Sequence, residues 1–109
     1  MITYHDFEKV EMRVGTIIEA SDFPKARNPS YQLTIDFGPL GIKRSSAQIT
    51  DLYTPESLIG QQVIAVVNFP PKQIANFISE CLVLGTLGDQ KVVTLLQPEQ
   101  KVENGLRIA

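Results

Sequence analysis

From Tyr31 to Phe37 the chain reads YQLTIDF, with apolar residues at every odd position and polar ones at every even position. A period of two is the signature of a strand with one buried face. Gly38-Pro39-Leu40-Gly41 follows at once as a turn and returns the chain into Ile42–Ile49, so the pair is expected to form a hairpin. The remaining apolar segments are equally short. In Met12–Ala20, alternation puts Met12, Val14, Ile18 and Ala20 on one face with Thr16, and Gly15 suggests a bulge or sharp coil. Val63–Val67 and Cys81–Gly85 are apolar runs rich in β-branched residues, the pattern of strands buried on both faces. Lys91–Leu96 reads as a further strand. Two short helices are expected: one over Asp6–Val10, capped by Thr3 and apolar along Phe7 and Val10, and one in Thr54-Pro55-Glu56-Ser57-Leu58-Ile59-Gly60. Five short strands with a helix between the third and fourth is the order of the OB-fold, an all-β five-stranded Greek-key barrel. Here it would carry N- and C-terminal extensions, and the polar tail Gln97–Ala109 ends in Leu106 and Ile108, which need somewhere to dock.

At 109 residues the chain has room for one domain, 1–109, with no linker or repeat dividing it. It has no basic segment leading into an apolar core, no apolar run of membrane-spanning length, and one cysteine, Cys81. Those features favour the cytoplasm, without membrane insertion and without an intrachain disulfide. A net charge of −2 argues against nonspecific coating of nucleic acid, which depends on phosphate neutralisation. The distribution is uneven: Lys9, Arg13, Lys25, Arg27, Lys43 and Arg44 lie early, while Lys72 stands alone in the middle. If folding gathers Lys43, Arg44 and Lys72, an acidic protein carries a local basic patch; otherwise they are scattered solvated charges. Catalysis is not expected, nor a metal or cofactor. His5 is the single histidine, Cys81 lies in an apolar run, and no Gly-rich phosphate loop or serine–base pair is present.

The stretch between Val67 and Cys81 mixes chemistries. Asn68, Lys72, Gln73, Asn76, Ser79 and Glu80 are polar, Phe69, Phe77 and Ile78 are apolar, and Pro70-Pro71 stiffens the exit from the preceding strand. A rigid loop of this kind on buried strands suits a binding surface. It equally suits a crossover loop whose Phe77 and Ile78 plug a barrel end. The strand Ile42–Ile49 is similarly open to two readings, because neither face is cleanly apolar: Lys43, Arg44, Ser45, Ser46 and Gln48 suit phosphate or sugar contacts, and also an edge strand blunted by charge.

The phrases FEKVEMRVGTIIEASDFPKARNPSYQLTIDFG, IKRSSAQITDLYTPESLIGQQVIAVVNFPPKQIANFISECLVLG and VTLLQPEQKVENGLRI, spanning Phe7 to Ile108, resemble the EMAP-II-like tRNA-binding domain family. The resemblance implies an OB-fold that acts as a homodimer and binds tRNA structure-specifically. Small bacterial members have also been assigned a chaperone-like role in protein export, with affinity for unfolded preproteins and the secretion motor. The family's binding face corresponds to Lys43–Gln48 and to Asn68, Lys72, Gln73, Phe77, Ser79 and Glu80. In an RNA complex Lys43, Arg44 and Lys72 would neutralise phosphates. Ser45, Ser46, Asn68 and Gln73 would bond sugars or base edges, and Phe77 would stack on an unpaired base. Glu80 would accept from a base amino group, or else fix Lys72 or backbone donors. Asn76 stands where the family usually has glycine, and asparagine can still adopt the left-handed conformation. The second reading is a peptide-binding chaperone with an apolar groove of Phe23, Phe69, Phe77 and Ile78. Phe7, Met12, Leu106 and Ile108 are the candidates for the dimer interface, by elimination; alternatively they cap their own barrel.

Overall fold

The computed structural model describes residues 1–109. Its centre is a five-stranded antiparallel sheet in the order β3-β2-β1-β4-β7. The strands are β1 (Met12–Asp22), β2 (Tyr31–Asp36), β3 (Ile42–Ala47), β4 (Gln62–Val66) and β7 (Leu82–Val83). The sheet curls until β3 and β7 meet, giving the nearly closed OB barrel expected from the strand order. Two short helices accompany it, α1 (Tyr4–Glu8) and α2 (Pro55–Leu58), each opened by a reciprocal threonine capping box from Thr3 or Thr54. No helix is long and apolar enough to cross a membrane.

Unbroken alternation in β2 delivers Tyr31, Leu33, Ile35 and then Phe37 to the interior. They pack with Ile17, Leu58, Val63 and Ala65. Full burial of such side chains contributes about 1.5–3 kcal/mol each, so this strand anchors the core. In β1 the faces differ from expectation. Ile17 is fully buried and Ile18 is exposed. The register slips between Ile17, opposite Ile35, and Glu19, opposite Thr34, so Ile18 is the extra residue of a bulge. Alternation therefore runs inward through Gly15 and Ile17, then resumes inward at Ala20, which packs on the core. The bulge lies three residues beyond Gly15. Gly15 is needed for another reason: a Cβ there would stand 2.6 Å from Ile35 and 2.8 Å from Phe37.

The segment after β4 is a β-hairpin, with β5 (Lys72–Ile74) paired to β6 (Phe77–Ser79). Of its two turn residues only Ala75 has positive φ, 52°. The left-handed residue is thus Ala75 and not Asn76, because the hairpin register places the reversal one residue earlier. Cys81–Gly85 is not a strand buried on both faces: Leu82 is exposed and only Leu82–Val83 pair with β4. At Leu84 the chain changes partner. Its N–H donates to Ile64, its carbonyl accepts from Leu96, and β8 (Gly85–Leu87) then pairs with β9 (Val93–Leu95). The tail docks as a strap along the edge of β1. Gly105 donates to Val14 O, Val14 donates to Leu106 O, and Ile108 donates to Met12 O. The side-chain amide of buried Gln62 imitates a ladder residue by donating to Val102 O at 2.6 Å and accepting from Val102 N at 3.1 Å.

Candidate nucleic-acid interface

The barrel closes between β3 and the segment Ser79–Cys81 through one backbone bond and three that use side chains. Glu80 N–H donates to Arg44 O at 2.7 Å, and Arg44 N–H donates to the Glu80 carboxylate at 2.9 Å. Ser46 N–H donates to the Ser79 hydroxyl at 3.1 Å, and the Ser45 hydroxyl donates to Cys81 O at 2.9 Å. Side-chain oxygens thus satisfy edge groups of β3 that a sixth strand would otherwise pair. Ser45 has no exposed surface, so its expected contact with sugar or base is corrected to a seam bond. Ser79 spends its hydroxyl on the same seam. For Glu80, its role of fixing a backbone donor is the one the geometry displays. Asn68 is also committed internally, accepting from Glu11 N–H at 3.0 Å and donating to Lys9 O at 2.7 Å, which ties the end of α1 to the end of β4.

Phe77 was a candidate to stack on a base and to line a peptide groove, and it does neither. It is 3% exposed, packs its ring 5.4 Å from that of the equally buried Phe23, and carries the Arg44 guanidinium 4.4 Å above its centroid. The four-aromatic-and-aliphatic groove is corrected accordingly: Phe23 and Phe77 form an internal plug, while Phe69 and Ile78 remain exposed. The cause is local. Hairpin β5–β6 folds over the barrel mouth, where the loop before β2 delivers Phe23.

Two depressions flank the seam, and Glu80 borders both. The first, of about 460 Å³, lies on the outer face of β1–β3 and is lined by Glu19, Ser21, Gln32, Thr34, Ile42 and Arg44, among others. Arg44 is exposed there, held by Phe77 beneath and by its bond to Gln32 Oε1 at 3.3 Å. The second is a groove of about 660 Å³ between the end of β3, hairpin β5–β6 and hairpin β8–β9. It brings together Ser46, Gln48, Lys72 and Ser79 with Phe69, Leu82 and Leu87. Lys43 joins neither depression. It is opposite Ile35 in the register, whereas Arg44 is opposite Thr34, so the two cations project to opposite sides of β3. Lys43, Arg44 and Lys72 therefore do not form one patch. Gln73 is exposed on β5 and bonds Ala75 O across the hairpin turn.

Lys91 lines the groove and was missed in the sequence, where it reads as the first residue of a strand. It instead ends a short 3-10 turn with Gln90, both at positive φ. No local signal announces two consecutive left-handed residues without glycine. Cys81 lies under the groove, and burial, reinforced by Glu80 against the opposing pull of Ser45 and Lys43, pushes its thiol up to about 11. At neutral pH it is a protonated, packed thiol. His5 lies on α1, and no three His, Cys, Asp or Glu side chains converge as metal ligands.

The comparisons with known proteins agree with this geometry. Residues 12–107 match the family described as "Putative tRNA binding domain". The methionine–tRNA ligase of Thermococcus kodakarensis is 33% identical over 107 residues, which is 98% of this chain and 14% of that enzyme. The chain thus spans about a seventh of the length of that relative, whose catalytic activity belongs to a far longer protein. Among solved structures, the chaperone CsaA from Bacillus anthracis superposes with a TM-score of 0.96 at 52% identity, covering 100% of this chain and 99% of that one. The CsaA chaperone protein from Picrophilus torridus gives 0.93 at 56% identity, with 100% of both chains covered. Barrel, seam and flanking depressions all lie inside the matched residues, and the chain belongs to the tRNA-binding domain family.

Proposed function

We propose that this chain is a non-catalytic, cytoplasmic tRNA-binding protein that acts as a homodimer and recognises tRNA by its structure. The observation that carries the reading is Arg44. Its guanidinium stands exposed, braced by Phe77 and Gln32, on the β2–β3 face where OB-folds take oligonucleotides. Across the Glu80 seam, Lys72 and Lys91 offer phosphate contacts, Ser46 and Gln48 offer hydrogen bonds, and Phe69, 54% exposed, takes the stacking role that Phe77 cannot fill. Three cations per chain are few for RNA. Two linked copies would present them twice and raise the effective concentration of the second contact.

Binding of bulk tRNA across a salt series tests this. Affinity is expected to fall steeply with salt, and Arg44→Ala and Lys72→Ala each to weaken binding and reduce the magnitude of the log–log salt slope by about one. No binding at low salt, or variants that behave as native, would remove the RNA reading.

A second reading, a chaperone that binds unfolded preprotein segments and the secretion motor, is favoured by the groove itself. Its lining is mostly apolar, with Phe69, Leu82 and Leu87 exposed, and two of the solved structures that superpose on this chain are named as chaperones. Capture of an unfolded peptide by that groove would persist as salt rises, because apolar burial is not screened.

A further inference from the structure

The outer depression has a feature that phosphate binding does not use: a free carboxylate. The bulge at Ile18 turns Glu19 to the outer face beside Thr34, where strict alternation from Ile17 would have sent it inward. Bulges commonly re-aim a side chain next to a functional site. Glu19 is exposed and makes no ion pair, since the molecule's two salt bridges are Lys9–Asp6 and Arg13–Glu11. It lines the same depression as Arg44, whose guanidinium uses one N–H on Gln32 and has one face on Phe77. An acceptor-only group and a donor-only fork thus share one concavity without neutralising each other. At about 460 Å³ it lies within the range of about 300–1,000 Å³ typical of ligand sites.

Resting on the tRNA-binding reading, we propose that this depression reads one unpaired guanine, with Glu19 accepting from its Watson–Crick edge and Arg44 donating to its Hoogsteen edge. Guanine alone among the four bases presents two adjacent donors, N1–H and the 2-amino group, together with a pair of acceptors, O6 and N7. A carboxylate accepts from the first pair, and an arginine fork donates to the second. Adenine would turn its N1 lone pair toward the carboxylate, and uracil offers a single donor between two acceptors. An unstacked base in a single-stranded loop leaves both edges accessible, which is how RNA sequence is usually read. The carboxylate also explains why an RNA face contains acid at all: it admits a donor edge.

The test compares the pentaribonucleotides UUGUU, UUAUU and UUIUU, where I is inosine, on the full chain at constant low salt, with bulk tRNA alongside. The native protein is expected to hold UUGUU about tenfold more tightly than UUAUU, as for one bidentate contact. Inosine, lacking the 2-amino group, is expected to fall between them. Glu19→Ala should narrow the gap between UUGUU and UUAUU, leaving the part that Arg44 supplies, and should bring UUGUU and UUIUU to equal affinity, while bulk tRNA still binds. Arg44→Lys, which keeps the charge and loses the fork, should also narrow the gap. Equal affinity of native protein for all three pentamers, or a gap that Glu19→Ala leaves unchanged, overturns the proposal even if tRNA binds. Failure of every RNA to bind overturns the tRNA reading and this one with it.

Discussion

Glu80 shows how one residue type carries two meanings. A carboxylate beside basic residues in a binding loop reads as a ligand for a base amino group, yet here it caps the backbone N–H of Arg44, 36 positions away in sequence. Ser45 and Ser79 behave alike, bonding a carbonyl or an N–H across the seam. A hydroxyl that suits a ribose oxygen suits a peptide group equally well, and the sequence does not place the partner strand. The residues whose roles depended on burial were therefore the least legible, Phe77 most of all. Exposed Arg44, Lys72 and Gln48 needed only to remain on the surface. Glu80→Ala is expected to lower unfolding free energy by about 0.5–1.5 kcal/mol in urea titration, because the exposed Arg44 N–H at the barrel seam loses its carboxylate partner. Glu80→Gln, which keeps an acceptor, should cost less. Equal stability of native and alanine forms would show that water replaces the carboxylate without loss.

At the scale of elements, β2 was fully legible because nothing interrupts its period: Tyr31, Leu33, Ile35 and Phe37 all point inward. β1 was not, for a stated cause. Ile17 and Ile18 are adjacent and equally apolar, so pattern alone offers no way to choose which one the bulge expels. Hairpin β5–β6 posed the same difficulty in reverse, since three-residue strands are too short for a period to register. Its turn leaves a testable mark. Ala75 at φ 52° pays the steric penalty of the left-handed region, about 1–2 kcal/mol, and glycine would escape it while adding about 0.4–1 kcal/mol of unfolded-state entropy. Ala75→Gly is accordingly expected to stabilise the protein by about 0.5–1 kcal/mol in thermal or urea unfolding. A destabilised variant would mean that the freedom glycine adds to the unfolded chain outweighs the strain at this dihedral angle.

For the whole molecule, the two extensions were foreseen as segments in search of a docking place, and they share one. Arg107 reaches α1 by donating to Glu8 O at 2.7 Å, so the helix and the strap meet at one end of the barrel. Tyr4 on α1, Ile2 and Val10 beside it and Leu106 on the strap remain exposed, while Phe7, Met12 and Ile108 are half-buried. An apolar surface of that origin is where the proposed second copy would sit, and the partial burial of three members reflects their work for their own barrel. Sedimentation at micromolar concentration is expected to give a dimer, with Leu106→Asp raising its dissociation constant at least about tenfold and leaving the melting curve of the monomer near native. A native chain that sediments at single-chain mass would dismiss the dimer and the avidity argument with it. The strap also sets an order of events. Val14 bonds Leu106, and Arg13 bonds Gly105 across 92 positions. During vectorial synthesis at about 5–20 residues per second, the first strand must therefore wait several seconds beside the ribosome before its last neighbour exists. Until then its partner is water or whatever else meets it, and a growing chain is at its most vulnerable where the finished one is most tightly laced.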